Sequence, residues 1–187
     1  MKYDALTPYS EQNPKTVKGN LEAFGALLRL VPPPTYVGEA MGGLGYQSKE
    51  IQALWRNASH HAWERNDTCF EELNKVSGVQ AHLGEYPLNN ILGPHSLLVL
   101  DFNLFTLKHA DELKGYFKNR AEYVLFTDTA RGKLHLHPQA YGLMPGADWS
   151  DYCVALNRWL FNFDLSLVGM SKAPRSITYF LARRNVA

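Results

Sequence analysis

Glu122-Tyr123-Val124-Leu125-Phe126-Thr127, Asp128-Thr129-Ala130-Arg131-Gly132 and Lys133-Leu134-His135-Leu136-His137 follow one another without a break. The first segment is β-branched and aromatic, the second holds turn formers, and the third alternates. Together they predict a strand, a turn and a second strand, that is, a hairpin. Alternate residues of a strand share a face, so His135 and His137 project their imidazoles to the same side. Two neutral imidazoles on one face supply half of a divalent metal site.

The flanking sequence extends this pattern. Leu97-Leu98-Val99-Leu100-Asp101 predicts a buried strand, and Asp111 to Arg120 a helix with Leu113, Tyr116 and Phe117 on one side. Asp148 or Ser150 caps a helix carrying Tyr152, Ala155, Leu156, Trp159, Leu160 and Phe163 in register. Leu165 to Val168 reads as a strand; Pro174 to Arg184 fits either a strand or a helix. The order strand, helix, strand, hairpin, strand, helix, strand is that of a split βαβ unit. The expected fold class is therefore α+β, a ferredoxin-like antiparallel sheet over residues 96–187.

Residues 1–95 read as an N-terminal arm and helical extension. The first 19 are polar, with Pro8 and Pro14 and no hydrophobic period. Asn20 can cap a helix from Leu21 to Leu30, ended by Pro32-Pro33-Pro34. Gly38, Gly42, Gly43 and Gly45 mark a loop. That loop lacks the third glycine of a dinucleotide fingerprint and the Lys-Ser/Thr ending of a P-loop, so a turn needing positive φ explains it. Ser48 opens a helix with Ile51, Leu54, Trp55, Ala58 and Ala62, reaching about Asn66. A second helix runs from Asp67 to Gly78, and residues 78–96 read as a connecting loop. Adjacent His60 and His61 would diverge on such a helix and could not share a metal.

Composition narrows the function classes. The chain has 187 residues, 45% hydrophobic and 20% charged, which suits a folded domain rather than a disordered one. A net charge of +1 disfavours indiscriminate nucleic-acid binding, though from Arg120 onward eight Arg/Lys face five Asp/Glu. Cys69 and Cys153 are too few for a disulfide framework or a zinc quartet. Nothing approaches a membrane span and Met1-Lys2-Tyr3-Asp4 opens no signal peptide, so the expected location is the cytoplasm, without a membrane.

A metal held by His135 and His137 needs a further ligand, and Asp101 and Glu122 are the carboxylates easiest to bring there. With these residues the chain resembles the HUH endonucleases, which comprise rolling-circle replication initiators, relaxases and related transposases. The likeness covers residues 96–187. It rests on Ser96 to Asp101, Gly132 to His137, Ala140-Tyr141-Gly142, the Trp-bearing helix Cys153 to Leu160, and Ser176 to Arg184. It implies metal-dependent nicking and joining of single-stranded DNA in plasmid or phage replication or transfer. Tyr179 would be the nucleophile and Mg²⁺ or Mn²⁺ the cofactor on His135, His137, Asp101 and Glu122. Arg131, Lys133, Arg183 and Arg184 would contact nucleic acid. Pro138, directly after the histidines, departs from the family pattern. Two alternatives stand beside this: a non-catalytic nucleic-acid- or protein-binding protein such as a transfer or phage-defence inhibitor, and a carboxylate-based Mg²⁺ nuclease using Asp101 and Asp128. Residues 1–95 would be the surface for any protein partner.

Overall fold

The computed structural model describes residues 14–90, 92–102 and 106–185. The first 13 residues of the expected arm, with Pro8, lie outside the described residues.

Seven strands form one sheet: β1 (Tyr36–Ala40), β2 (Ser59–Glu64), β3 (Val79–Leu83), β4 (Ser96–Leu100), β5 (Tyr123–Asp128), β6 (Leu165–Lys172) and β7 (Thr178–Arg184). Their order is β3-β2-β1-β4-β5-β7-β6. The first five pair in parallel, and β7 inserts antiparallel between β5 and β6. Among the described residues five α-helices accompany them: α1 (Pro14–Leu28), α2 (Tyr46–Leu54), α3 (Asp67–Leu73), α4 (Ala110–Phe117) and α5 (Trp149–Phe161). The ferredoxin-like expectation is thereby overturned. The stretch read as a helical extension supplies three strands of a largely parallel sheet, continuous with the four from the second half.

The burial of the central strands explains the architecture. Every residue of β4 and of β5 is buried. Leu97 and Val99 join a cluster with Phe24, Leu27 and Leu28 of α1 and Ile51 of α2. Leu98 and Leu100 join the opposite cluster, with Leu113 and Phe117 of α4 and Tyr152, Leu156 and Leu160 of α5. A strand apolar on both faces must be covered on both, and a sheet fed by parallel crossovers provides that cover. Asp148 caps α5 through a reciprocal box with Asp151, as the sequence suggested.

The expected histidine strand does not form. Ala130–Gly132 and Pro138–Tyr141 are 3₁₀ turns, joined by further turns. Leu134, Pro138 and Tyr141 are buried, whereas Leu136 is 58% exposed. The apolar anchors thus recur at three- and four-residue intervals rather than at two. His135 and His137 lie exposed on the outside of this segment.

Asp128, at the end of β5, is fully buried and accepts hydrogen bonds from the Tyr152 hydroxyl at 2.5 Å, the Ala130 N–H at 2.6 Å and the Thr106 N–H at 2.8 Å. It ties β5 to α5 and to the loops that precede α4 and follow β5. This corrects its expected place beside Asp101 in a metal site. Removing the hydroxyl alone should strip a buried carboxylate of one donor. Tyr152→Phe is therefore expected to cost about 1–3 kcal/mol in urea denaturation, with an unaltered fold by circular dichroism.

Candidate functional site

After β3 the chain returns to the other side of β1 to form β4, so the order of the sheet reverses between these two strands. In doubly wound sheets a crevice opens at the carboxyl ends of the strands flanking such a reversal. The residues that leave β1 and β4 there are Met41-Gly42-Gly43-Leu44-Gly45 and Asp101-Phe102.

The glycine-rich turn is built by its backbone. Met41, Gly43 and Gly45 have φ of 63°, 53° and 75°, and Gly45 caps α2. Glycine adopts this region freely; a methionine there costs about 1–2 kcal/mol. Close packing also requires glycine at position 42, where a Cβ would lie 2.8 Å from Leu73 Cδ2.

Two buried acids hold the turn in place. Glu64, ending β2, accepts from the Gly43 N–H at 2.9 Å and from the Asn66 N–H at 2.8 Å. Glu39, in β1, accepts from Ser48 Oγ at 2.6 Å and bonds His60 Nε2 at 3.0 Å. Gln52 Nε2 lies 3.2 Å from His60 Nδ1, and donation there places the imidazole proton on Nε2, facing Glu39. Bonds from the turn, α2, β2 and the N-cap of α3 therefore satisfy acids that would otherwise be costly to bury.

Two cavities open beside the turn. One, about 240 Å³, is walled by Tyr86, Phe102, Leu113 and Tyr116, with Arg65 and Glu85 at its rim. The Phe102 and Tyr116 rings meet edge to face with centroids 4.7 Å apart, and the Tyr86 hydroxyl accepts from Asn119 Nδ2 at 3.1 Å. The other, about 310 Å³, is lined by Asn20, Gly42, Gly43, Gln47, Asp101 and Tyr179, among others. Gln47 Nε2 donates to Asp101 Oδ2 at 2.5 Å and lies 3.4 Å from the Tyr179 hydroxyl. Asn20 Oδ1, Gln47 Oε1 and Asp101 Oδ1 are buried and have no hydrogen-bond partner among the described residues. Burial pushes the Asp101 carboxyl up to about 6; a hydrogen bond from Thr127 opposes this, Glu39 adds to it, and the Gln47 bond opposes it again. Three residues that line one cavity thus each carry a buried acceptor that would gain from a donor.

The structure scatters the expected metal set. Asp101 follows the carboxyl end of β4, while Glu122 precedes the amino end of the parallel β5. These are opposite ends of two neighbouring strands, and His135 and His137 face solvent on a separate loop. No cluster of three or more potential ligands occurs among the described residues. Glu122 instead binds the His95 N–H and pairs with Arg183 at 3.5 Å. Arg131 binds the carbonyls of Ala173 and Ile177, and Arg184 those of Asn119, Ala121 and Phe163. Arg183 lies 5.5 Å from the Tyr123 ring centroid. Lys133 is exposed on the loop of the two histidines. Of the expected site residues, the structure brings Asp101 and Tyr179 together at one cavity.

Comparison with solved structures finds the same architecture elsewhere. The chain matches magnesium protoporphyrin IX methyltransferase from Synechocystis PCC 6803, solved with bound SAH, at a TM-score of 0.62 and 13% identity, over 98% of this chain and 90% of the other. A SAM-dependent methyltransferase from Aquifex aeolicus gives 0.62 and 11%, over 97% and 98%. A putative O-methyltransferase from Klebsiella pneumoniae gives 0.57 and 11%, over 95% and 93%. The fold is the Rossmann-like fold of these methyltransferases. No protein-family model matches the sequence, and no curated protein matches it. The methyltransferase likeness spans nearly the whole chain and overturns the resemblance to HUH endonucleases. Nicking of single-stranded DNA, the carboxylate-nuclease alternative, a DNA partner and Mg²⁺ or Mn²⁺ as cofactor are withdrawn with it. Among the described residues no helix is long and apolar enough to cross a membrane.

The sequence did carry a signal for this site. Tyr36 to Ala40, a glycine-rich turn, a helix, and an acid at Glu64 about twenty residues on form the strand–turn–helix–acid order of nucleotide-binding βαβ units. Matching only glycine spacing missed it, because Met41 stands at a left-handed position where glycine is the default.

Proposed function

We propose that this chain is an S-adenosylmethionine-dependent methyltransferase acting on a small molecule. The observation that carries the reading is the set of three unpartnered buried oxygens, from Asn20, Gln47 and Asp101, beside the glycine-rich turn at the sheet reversal. S-adenosylmethionine joins a nucleoside through a sulfonium to an amino acid, so it offers a flat base, an ammonium and a second positive charge. The residues fit those parts. The ring wall of Tyr86, Phe102 and Tyr116 suits a base, and the Gln47 and Asp101 oxygens suit an ammonium.

When bound, that group supplies an electrophilic methyl on its sulfonium. The chain's own residues bind and orient. At neutral pH Asp101 is ionised, since its carboxyl titrates at about 6, and it would hold the cationic end with Gln47 and Asn20. Glu64 keeps the Gly43 backbone in place so that the turn can lie close to a ligand. Tyr179 and Ile177 add apolar surface to the wall of the same cavity.

Titration with S-adenosylhomocysteine tests this. Binding to the folded state should be saturable and should raise the melting temperature with ligand concentration, by about 2.7 kcal/mol of stability at a hundredfold excess over Kd. An unmoved melting curve up to millimolar ligand would sink the proposal.

A further inference from the structure

Among the described residues that line the two cavities, Met41 is the one common to both. It is also the non-glycine in the turn held at positive φ, 63°, between β1 and Gly42. A left-handed backbone is rarely kept by a side-chain-bearing residue unless its surroundings impose it, and such strain gathers at ligand sites. Here Met41 stands at the boundary of the aromatic cavity and the one lined by Asn20, Gln47 and Asp101. At about 240 Å³ one cavity falls below the roughly 300–1,000 Å³ range of ligand sites and at about 310 Å³ the other sits at its bottom, so neither alone suits a nucleoside joined to an amino acid. Methionine suits a movable wall, having an unbranched, polarizable side chain with three rotatable bonds.

The geometry points to Met41 as a partition that sets the affinity for any ligand spanning both cavities, while leaving ligands confined to one cavity unaffected. This rests on the cofactor reading above. A spanning ligand must move the side chain off the boundary, and the cost of that rearrangement appears as weakened binding. A ligand occupying the aromatic cavity alone does not incur it. Met41 therefore sets how strongly the joined molecule is preferred over its nucleoside half.

Calorimetric titration of the full chain and its Met41→Ala and Met41→Gly variants, with S-adenosylhomocysteine and separately with adenosine, tests the partition. Truncation should tighten S-adenosylhomocysteine about tenfold in both variants and change adenosine by less than twofold. Met41→Gly should also raise the unliganded melting temperature, because glycine relieves the left-handed backbone, whereas Met41→Ala should not. Unchanged or weakened S-adenosylhomocysteine binding in both truncations, with wild-type binding intact, overturns the partition and leaves the cofactor reading standing. Equal tightening of adenosine overturns it too, since Met41 would then merely crowd one cavity. Failure of all three proteins to bind either ligand overturns the cofactor reading itself.

Discussion

Asp101→Asn is expected to stabilise the unliganded protein at pH 7.5, leave its stability unchanged near pH 3.8, and weaken S-adenosylhomocysteine binding by about ten- to a hundredfold. Asp101 as a residue is half-buried, but its Oδ1 is sealed from solvent and lacks a partner. Its carboxyl titrates at about 6 in the fold, against an ordinary 3.8, chiefly because burial disfavours the charge. Below 3.8 the group is protonated in both folded and unfolded chains and costs nothing. Between 3.8 and 6 the unfolded chain releases the proton while the folded one keeps it, so stability falls as pH rises. Above about 6 the loss is complete, at most about 3 kcal/mol. Asparagine does not titrate and still offers an oxygen to Gln47, so the gain should appear only on the alkaline side. Its effect on binding has the opposite sign, because a charge-assisted hydrogen bond to an ammonium contributes about 1.5–3 kcal/mol. Urea denaturation at the two pH values and calorimetric titration at pH 7.5 measure both halves. Equal stabilisation at both pH values would show that the buried charge is not the cause. A gain of stability with a loss of binding is the pattern of a site whose strain serves its ligand.

Gly45→Ala is expected to lower the melting temperature by roughly 5–15 °C. The residue has φ of 75°, and a Cβ there would meet Val76 Cγ2 at 2.6 Å, with Leu73 Cδ1 at 3.4 Å. The left-handed backbone costs about 1–2 kcal/mol with a side chain, and the overlap a further ~1–3 kcal/mol. In a chain of this size each kcal/mol moves the midpoint by about 2–4 °C. Gly146 separates the two terms, since its φ is 84° and no heavy atom lies within 4 Å of the added Cβ. Gly146→Ala should therefore cost only about 1–2 kcal/mol. Combining Gly45→Ala with Val76→Ala should recover part of the overlap, and scanning calorimetry on the four proteins measures it. If Gly45→Ala and Gly146→Ala were equally costly, steric overlap against Val76 would not be what holds the turn.

The parts of the fold legible in the sequence are those whose burial is purely apolar. Leu97 to Leu100 and Tyr123 to Phe126 announce themselves as strands because every position is hydrophobic. The strand Ser59–Glu64 hides because its inward residues include His60 and Glu64, and its half-buried ones include His61 and Trp63. With Ala58 and Ala62 in helical spacing from Leu54 and Trp55, the segment reads as a continuation of α2. What makes it a strand lies outside it: Glu39 and Gln52 satisfy His60, while Gly43, together with the neighbouring Asn66, satisfies Glu64. The hairpin at His135 and His137 fails in the opposite way. Its local alternation is real, but Leu134, Pro138 and Tyr141 reach the core together only from turns.

By itself the sequence determined the central strands, the capped helix α5 and the glycine-rich turn. Apolar period, caps and glycine act within a few residues, so they can be read locally. Only the tertiary structure decided that β1 and β4 lie side by side where the sheet reverses, and that Asn20, Gln47 and Asp101 come to line one space beside Met41. Those residues are up to about eighty positions apart, and what joins them is burial on both faces of a parallel sheet, which no local pattern records.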